Sequence, residues 1–253
     1  TSEPDQIGGA GGTLSSSKNI IRRNVFDNLL LYALTIRAYP NMQSSYNRIY
    51  SNVFYKNGYS ESNKPNMSAE YTHAIYFGIN GDDSNYDVIH DNAIKNNIFY
   101  QNKNETDPFD PIVRFGESWG GYTLEQQDIE NNWLESGDPL FVDVPSSISP
   151  STRVDFRLQT ESPCIDAGGF LTRVASPTGS GSVVVVEDAG YFMDGWGLIE
   201  GDVVQLEGQT TQAQIVSVDY NSNSLSLDRE ITWSVGQGIG LAYEGAAPDL
   251  GAY

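Results

Sequence analysis

"NRIYSNVFYKNG", residues 47–58, sets an asparagine before, between and after two apolar pairs. Asn47, Asn52 and Asn57 recur at a step of five, with Ile49 and Phe54 at the same step between them. Asparagine is a poor former of strands and helices alike, so its even spacing calls for a structural reason. "NAIKNNIFYQN" (92–102) has Asn92, Ile94, Asn97, Phe99 and Asn102 in the same places. "NIIRRNVFDN" (19–28) gives Asn19, Ile21, Asn24 and Phe26 with its last Asn one position early, and "QDIENNWLES" (127–136) keeps Ile129, Asn132 and Leu134. The segment is a repeat of four copies.

The first isoleucines of the motif, Ile21, Ile49, Ile94 and Ile129, are 28, 45 and 35 residues apart. A fixed short motif at variable spacing is what a solenoid produces when each turn has a similar core but extrudes loops of different length. Helical repeats would instead bring apolar residues back at three and four. A further apolar strand follows each of the first three copies: "ALTIRAY" (33–39), "AIYFGIN" (74–80) and "PIVRFGE" (111–117). Each turn of the solenoid therefore holds at least two short strands separated by Asn-rich corners. In such a corner Asn tolerates left-handed backbone angles, and stacked turns place one Asn over another as an amide ladder.

This pattern resembles the right-handed parallel β-helix proteins, the fold of pectate lyases, chondroitinase, alginate lyases and many secreted bacterial proteins. "GDPLFVDV" (137–144), "DFRLQTESPCIDAGG" (155–169) and "APDLGAY" (247–253) look like the closing segment common in the bacterial members, with Cys164 at its variable position. The resemblance implies an all-β chain that supplies the last few turns of a longer secreted, extracellular or cell-surface protein. Domain limits follow: 1–169 for the β-helix and its closing segment, 170–245 for an insertion, and 246–253 for the return to the β-helix end. Within 170–245 the Asn motif vanishes. Alternating strands such as "GSVVVVED" (181–188), "GDVVQLEG" (201–208) and "TQAQIVSVDY" (211–220) appear instead, separated by turn signals, which predicts a small antiparallel barrel or sandwich.

Fourteen Lys and Arg against 33 Asp and Glu give a net charge of −19, which disfavours nucleic acid and anionic membranes as partners. The most continuous apolar run, "SVVVVE" (182–187), is strand-sized, far below the roughly 20 residues of a membrane-spanning helix, so no membrane insertion is expected. The single Cys164 excludes an internal disulfide and reads as a buried small apolar residue. A monomer is expected.

Function has to be argued from sites, because this fold hosts lyases, hydrolases, adhesins and spikes. If Leu34/Ile36, Ile75/Phe77 and Val113/Phe115 point inward, alternation sends Thr35, Tyr76 and Arg114 outward in one file and Arg37, Gly78 and Gly116 in the next. Arg37, Tyr76 and Arg114 then share a face suited to a polysaccharide. Arginine clamps a uronate carboxylate, and tyrosine stacks on a sugar or assists proton transfer. His73 stands at the entrance to "AIYFGIN" as the candidate general base beside Arg114, with an ordinary pKa of about 6.5. His90, in "DVIHDN", reads as a corner or outward residue. Calcium is the candidate cofactor: "DDSNYD" offers Asp83, Asn85 and Asp87 at alternate positions, although Val88 and Ile94 occupy the places where an EF-hand loop needs Gly and Glu.

Two functional readings stay open. In one, the protein is a carbohydrate-active β-helix protein engaging an extracellular polysaccharide, with lyase chemistry if the parent is an enzyme. In the other it is a non-catalytic surface, adhesion or structural protein whose barrel is a cap. The base-and-calcium or carboxylate sets that the resemblance implies for lyases cannot be placed here residue by residue.

Overall fold

The computed structural model describes residues 11–29, 32–38, 42–58, 74–79, 89–102, 113–115, 126–144 and 154–252, with the strand placement alone for 79 and 113–115. The chain is all-β apart from short 3-10 turns. It divides into two compact units, residues 1–162 with 250–253 and residues 163–249. These limits fall several residues from the 169/170 and 245/246 boundaries expected from composition.

Among the described residues, the parallel part of the first unit has twelve short strands: β1 (Gly12–Leu14), β2 (Ile20–Arg22), β3 (Val25–Asp27), β4 (Leu34–Ala38), β5 (Arg48–Tyr50), β6 (Val53–Tyr55), β7 (Ile75–Ile79), β8 (Ala93–Lys95), β9 (Ile98–Tyr100), β10 (Val113–Phe115), β11 (Asp128–Glu130) and β12 (Trp133–Leu134). They form three four-stranded parallel sheets, in the orders β1-β4-β7-β10, β11-β8-β5-β2 and β12-β9-β6-β3. The chain thus visits the three sheets in a fixed order, and each visit adds one layer.

Register follows the repeat. Ile21 pairs with Ile49, Ile49 with Ile94 and Ile94 with Ile129 in one sheet, and Phe26 pairs with Phe54 and Phe54 with Phe99 in the next. The three phenylalanine rings stack at 4.8 and 4.6 Å between centroids, nearly coplanar in orientation. Ile49, Ile94, Phe54 and Phe99 have no exposed surface, and each such side chain contributes about 1.5–3 kcal/mol on burial.

The corners carry the asparagines, and three ladders result. Asn47 Oδ1 accepts from the Asn19 backbone and side-chain amides, Asn92 Oδ1 from those of Asn47, and Gln127 Oε1 from those of Asn92. Asn24, Asn52, Asn97 and Asn132 repeat the arrangement at 2.9–3.1 Å. The second amide hydrogen goes to a backbone carbonyl of the layer before: Asn52 Nδ2 donates to Ile21 O, Asn97 Nδ2 to Ile49 O and Asn132 Nδ2 to Ile94 O. Burying an amide is tolerated here because its hydrogen-bonding capacity is met. The ladder asparagines are not, however, the left-handed residues. That conformation belongs to the residue just before each rung: Lys18, Arg23 and Asn28, then Tyr46, Ser51 and Lys56, then Asp91, Asn96 and Gln101. Asn28, the copy that stands one position early, occupies the left-handed place, and Leu29 takes the rung, its N–H donating to Asn57 Oδ1 at 3.1 Å.

The closing segment of this unit is an antiparallel pair, β13 (Phe141–Asp143) and β14 (Asp155–Leu158). Phe141 and Phe156 pack edge-on at 5.2 Å and cover the outer side of Tyr55, at 6.4 and 5.5 Å. Gly251 returns to the same unit, its N–H donating to Asn96 O at 2.9 Å.

The second unit is one antiparallel sheet of β15 (Thr172–Arg173), β16 (Gly179–Val185), β17 (Val203–Leu206), β18 (Gln212–Asp219), β19 (Ser224–Trp233) and β20 (Gly238–Leu241), in the order β15-β20-β17-β18-β19-β16. It curls into a half-barrel, and an isolated antiparallel bridge between Val174 and Val186 ties its two ends. Val184, Leu206, Ile215, Leu225 and Ile239 are among the side chains that fill it. The segments that flank the expected insertion meet here: Asp166 Oδ1 accepts from the Ala246 and Ala247 amides, and Asp249 Oδ1 accepts from the Asp166 amide. Cys164 is buried.

Candidate functional site

Strands β4, β7 and β10 lie side by side with Thr35 opposite Tyr76, Tyr76 opposite Arg114 and Arg37 opposite Gly78. The outward-facing alternation read from the sequence therefore has the expected register. Leu34, Ile36, Ile75 and Phe77 are buried toward the interior. Gly78 supplies the space that Tyr76 uses: a Cβ at Gly78 would come within 2.5 Å of Tyr76 Cε1, so the ring leans along its own strand over the glycine. There it stacks on Tyr32 at 5.8 Å, and the Arg37 guanidinium carbon stands 5.9 Å from its centroid. That separation is within cation–π range.

The file is less open than alternation alone implies. Thr35 has no exposed surface and Tyr76 only 8%. Tyr76 is flanked by Tyr32 and Arg37, and the pleat rule says which side of a sheet a residue takes, not what lies over it. Among the described residues three buried side-chain polar atoms have no hydrogen-bond partner, and two of them, Thr35 Oγ1 and Arg37 Nε, are on β4. They are two residues apart and so share a face. The third is Asp27 Oδ1, whose carboxyl is pushed up by burial against the opposing pull of Lys56.

Of the remaining candidates, Arg114 is placed by its strand alone, and His73 and the calcium candidates Asp83, Asn85 and Asp87 lie outside the described residues. His90 sits at the corner before β8, its Nδ1 2.6 Å from Asp91 Oδ2 and its ring edge-on to Tyr46 at 5.3 Å. The strand it precedes, β8, belongs to a different sheet from Arg37 and Tyr76. No group of three His, Cys, Asp or Glu side chains placed to hold a metal ion occurs among the described residues.

One polar file escaped the sequence reading. Arg22, Tyr50, Lys95 and Glu130 are in register across β2, β5, β8 and β11. Arg22 Nη1 donates to Tyr50 Oη at 2.9 Å, and Lys95 Nζ lies 2.6 Å from Asp128 Oδ2 and 3.3 Å from Glu130 Oε2. The signal was present, because these residues carry the same offsets as the isoleucine file. Tyr50 is fully buried and Lys95 nearly so, so the file is internally compensated and offers little to a ligand.

At the end of the third ladder a carboxylate replaces the amide. Glu135 accepts from the Gln101 amide at 2.7 Å and the Asn102 amide at 2.9 Å. Burial pushes its pKa above the ordinary 4.5, with those amides opposing the shift. Comparisons with protein-family models, curated proteins and solved structures found no match.

Proposed function

We propose that the three parallel sheets are the faces of a right-handed parallel β-helix and that the β4-β7-β10 face recognises an extracellular polysaccharide. The observation that carries this reading is the pair of buried, unpartnered polar atoms on β4, Thr35 Oγ1 and Arg37 Nε, beside the Tyr76 ring. Buried polar groups ordinarily have partners, and an unpaired donor next to an aromatic face suits a ligand that brings both hydroxyl or carboxylate oxygens and an apolar C–H surface. Parallel stacking sets successive side chains of the file, Thr35, Tyr76 and Arg114, about 4.8 Å apart along a polymer's length. Arg37 and Arg114 supply local positive charge on a chain of net charge −19, which a uronate-containing polymer requires. Where the whole protein is an enzyme, lyase chemistry is the class that fits. An arginine would neutralise the uronate carboxylate while a base, for which His73 is the candidate, takes the adjacent carbon-bound proton and the glycosidic oxygen departs. Calcium belongs to the same proposal through Asp83, Asn85 and Asp87, whose oxygens are the hard ligands it prefers.

A second reading is favoured by the coverage of Thr35 and Tyr76. In it the parallel stack is a spacer in a surface or adhesion protein, and the half-barrel caps or decorates it. Titration of alginate, pectate and chondroitin oligosaccharides into the wild type and an Arg37→Ala/Arg114→Ala variant, with and without calcium, separates the two. Binding that the double variant loses is the expected result. Absence of binding by either protein leaves the spacer, and binding that persists in the double variant but is lost on deleting residues 170–245 moves recognition to the half-barrel.

A further inference from the structure

The half-barrel carries a loop that turns its polar groups inward and its large apolar side chains outward, the reverse of an ordinary surface loop. Its ends are tied together twice: the Asp202 N–H donates to Met193 O at 2.9 Å, and the Met193 N–H donates to Asp202 Oδ2 at 2.9 Å. Between them the turn is held from within and from β18. Gly195 O accepts from the Leu198 and Ile199 amides at 2.9 and 3.2 Å, and Asp194 Oδ1 accepts from the Trp196 amide at 2.9 Å. Gly201 packs against the Ile215 carbonyl oxygen with no room for a Cβ. Gly195, Trp196 and Gly197 stand at φ 80°, 51° and 71°, so a bulky residue is kept in the left-handed region between two glycines. A short loop closed in this way is a unit of its own, and such loops are frequently functional.

Trp196, Leu198 and Ile199 are 68%, 85% and 66% exposed, and Val216, next to the Ile215 carbonyl on which Gly201 packs, is 56% exposed. The three loop side chains alone present on the order of 400 Å². That is as large as the biggest apolar patch of a typical monomer, and about half of the roughly 800 Å² per partner that a stable complex buries. A non-glycine residue held at positive φ with its ring toward solvent is the kind of strain that positions a contact. Charge narrows what the contact is with. From residue 174 to residue 227 the sequence has seven Asp and Glu and no Lys, Arg or His, and Asp194, Glu200 and Asp202 of the loop are three of the seven. Glu200 continues the exposed run that starts at Trp196.

We propose that this loop is a docking site for a short basic segment of another protein, one that sets large apolar side chains among arginines or lysines. Trp196 is the anchor: tryptophan is enriched at binding hot spots, and its ring face also takes an arginine guanidinium. Leu198 and Ile199 pack the segment's apolar side chains, and Glu200 meets its cations at the rim, where charge sets approach and register. Other occupants fit less well. A uronate chain or an anionic bilayer meets only like charge here. A neutral glycan finds in Leu198 and Ile199 no hydrogen-bonding partner for its hydroxyls. A second copy in a self-complementary contact brings the same acidic loop, at half of the usual buried area. The site is independent of the β4-β7-β10 face, because it is apolar and acidic where that face carries arginines.

Panning a library of random-sequence short peptides against the full chain tests this, at physiological ionic strength, where a Debye length of about 8 Å damps non-specific attraction to a net charge of −19. The expected result is recovery of peptides that combine large apolar residues with Arg or Lys. Synthesised singly, they bind the wild type saturably in fluorescence anisotropy, and bind Trp196→Ala and Leu198→Ser about tenfold or more weakly. Leu198 is 85% exposed, so its substitution leaves the fold intact and separates a lost contact from a lost fold. Glu200→Lys weakens the same peptides, whereas Val183→Ser, at an exposed position of β16 outside the loop, leaves their binding unchanged. Recovery of no peptide, or of peptides without basic residues, overturns the proposal. So does peptide binding that Trp196→Ala and Leu198→Ser both leave unchanged. Neutral glucan oligosaccharides that bind the wild type and not Trp196→Ala would put a sugar on the loop and overturn it as well.

Discussion

The two units solve one problem, how to satisfy polar backbone at a corner, in opposite ways. In the parallel unit the partner of a corner is another layer: Asn24, Asn52, Asn97 and Asn132 bond to each other across 28, 45 and 35 residues of chain. In the half-barrel the partner is local. Asp188, Asp194 and Asp219 each accept the N–H two residues on, from Gly190, Trp196 and Asn221. The first solution makes every layer depend on its two neighbours and leaves the connecting loops free to vary in length. The second makes each turn self-sufficient, as in the short connections of antiparallel sheets. Damage to one layer of the parallel unit should therefore spread, and damage to one turn of the half-barrel should not.

The strongest way to break this contrast is Ile94→Asp. Ile94 is fully buried between Ile49 and Ile129, and an unpaired buried carboxylate costs several kcal/mol or more. Hydrogen exchange is expected to show protection lost through layers on both sides of residue 94 while residues 163–249 keep theirs. Simultaneous loss in both units would mean that the division into two cooperative bodies is wrong. A smaller effect compares an interior rung with an end rung. Asn97→Ala removes an acceptor from the Asn52 amides and a donor to Ile49 O and Asn132 Oδ1, which by the usual cost of stranded buried groups amounts to about 2–4 kcal/mol. Asn24→Ala removes only the exposed Nδ2 donor to Asn52 Oδ1 and Arg22 O, while Asn52 Oδ1 keeps the backbone N–H of residue 24, so a loss of about 1 kcal/mol or less is expected in urea unfolding. Equal losses would show that the ladder's energy does not depend on burial.

The ladder was legible in the sequence because it consists of side chains at constant offsets, and the register of Thr35, Tyr76 and Arg114 was legible for the same reason. What covers a face was not. Nothing in the pleat rule brings Phe141 and Phe156, from outside the repeat, onto Tyr55, or lays Tyr32 and Arg37 against Tyr76 so that it is only 8% exposed. The left-handed corner was assigned to the wrong residue, because asparagine suits both places. Only the variety at Lys18, Arg23, Ser51 and Gln101 reveals that the position before the rung carries the turn and tolerates almost any side chain. In the half-barrel the alternating strands were readable, but the two-residue β15 was too short to signal itself.

The ladder that ends in a carboxylate gives a titration test of the same contrast. Burial raises the Glu135 pKa above its ordinary 4.5. A folded-state pKa above the unfolded one means that the folded state holds the proton more tightly. Its contribution to stability is then full below the unfolded value and lost as pH rises through the raised one. Glu135→Gln cannot titrate, so the stability of the wild type relative to this variant is expected to fall as pH rises above the ordinary 4.5. Urea midpoints measured in parallel for both proteins check the slope. A relative stability that grows with pH would mean that the Gln101 and Asn102 amides outweigh desolvation. In the half-barrel the turn carboxyl of Asp219 is shifted down by its bonds to Ser222 and Asn221, so Asp219→Asn should give a slope of opposite sign.

The smallest effect asks what a left-handed residue costs in each unit. A non-glycine residue at positive φ is destabilised by about 1–2 kcal/mol, and replacing it with glycine gives back part of that gain, about 0.5–1 kcal/mol, to the entropy of the unfolded chain. Ser51, at φ 52° in a parallel-unit corner, has a small side chain, so Ser51→Gly is expected to stabilise by about 0.5–1 kcal/mol. Trp196, at φ 51° in the half-barrel, carries the same strain, but the residue is 68% exposed and the remainder of its surface is covered. That remainder, on the order of 70 Å², is worth up to about 2 kcal/mol at about 25 cal/mol per Å². Trp196→Gly should therefore be neutral or destabilising despite relieving the same backbone angle. Thermal midpoints of the two variants decide it: a gain at residue 196 as large as that at residue 51 would mean that the covered part of the indole contributes nothing to the fold and that the strained turn holds Trp196 outward for another purpose.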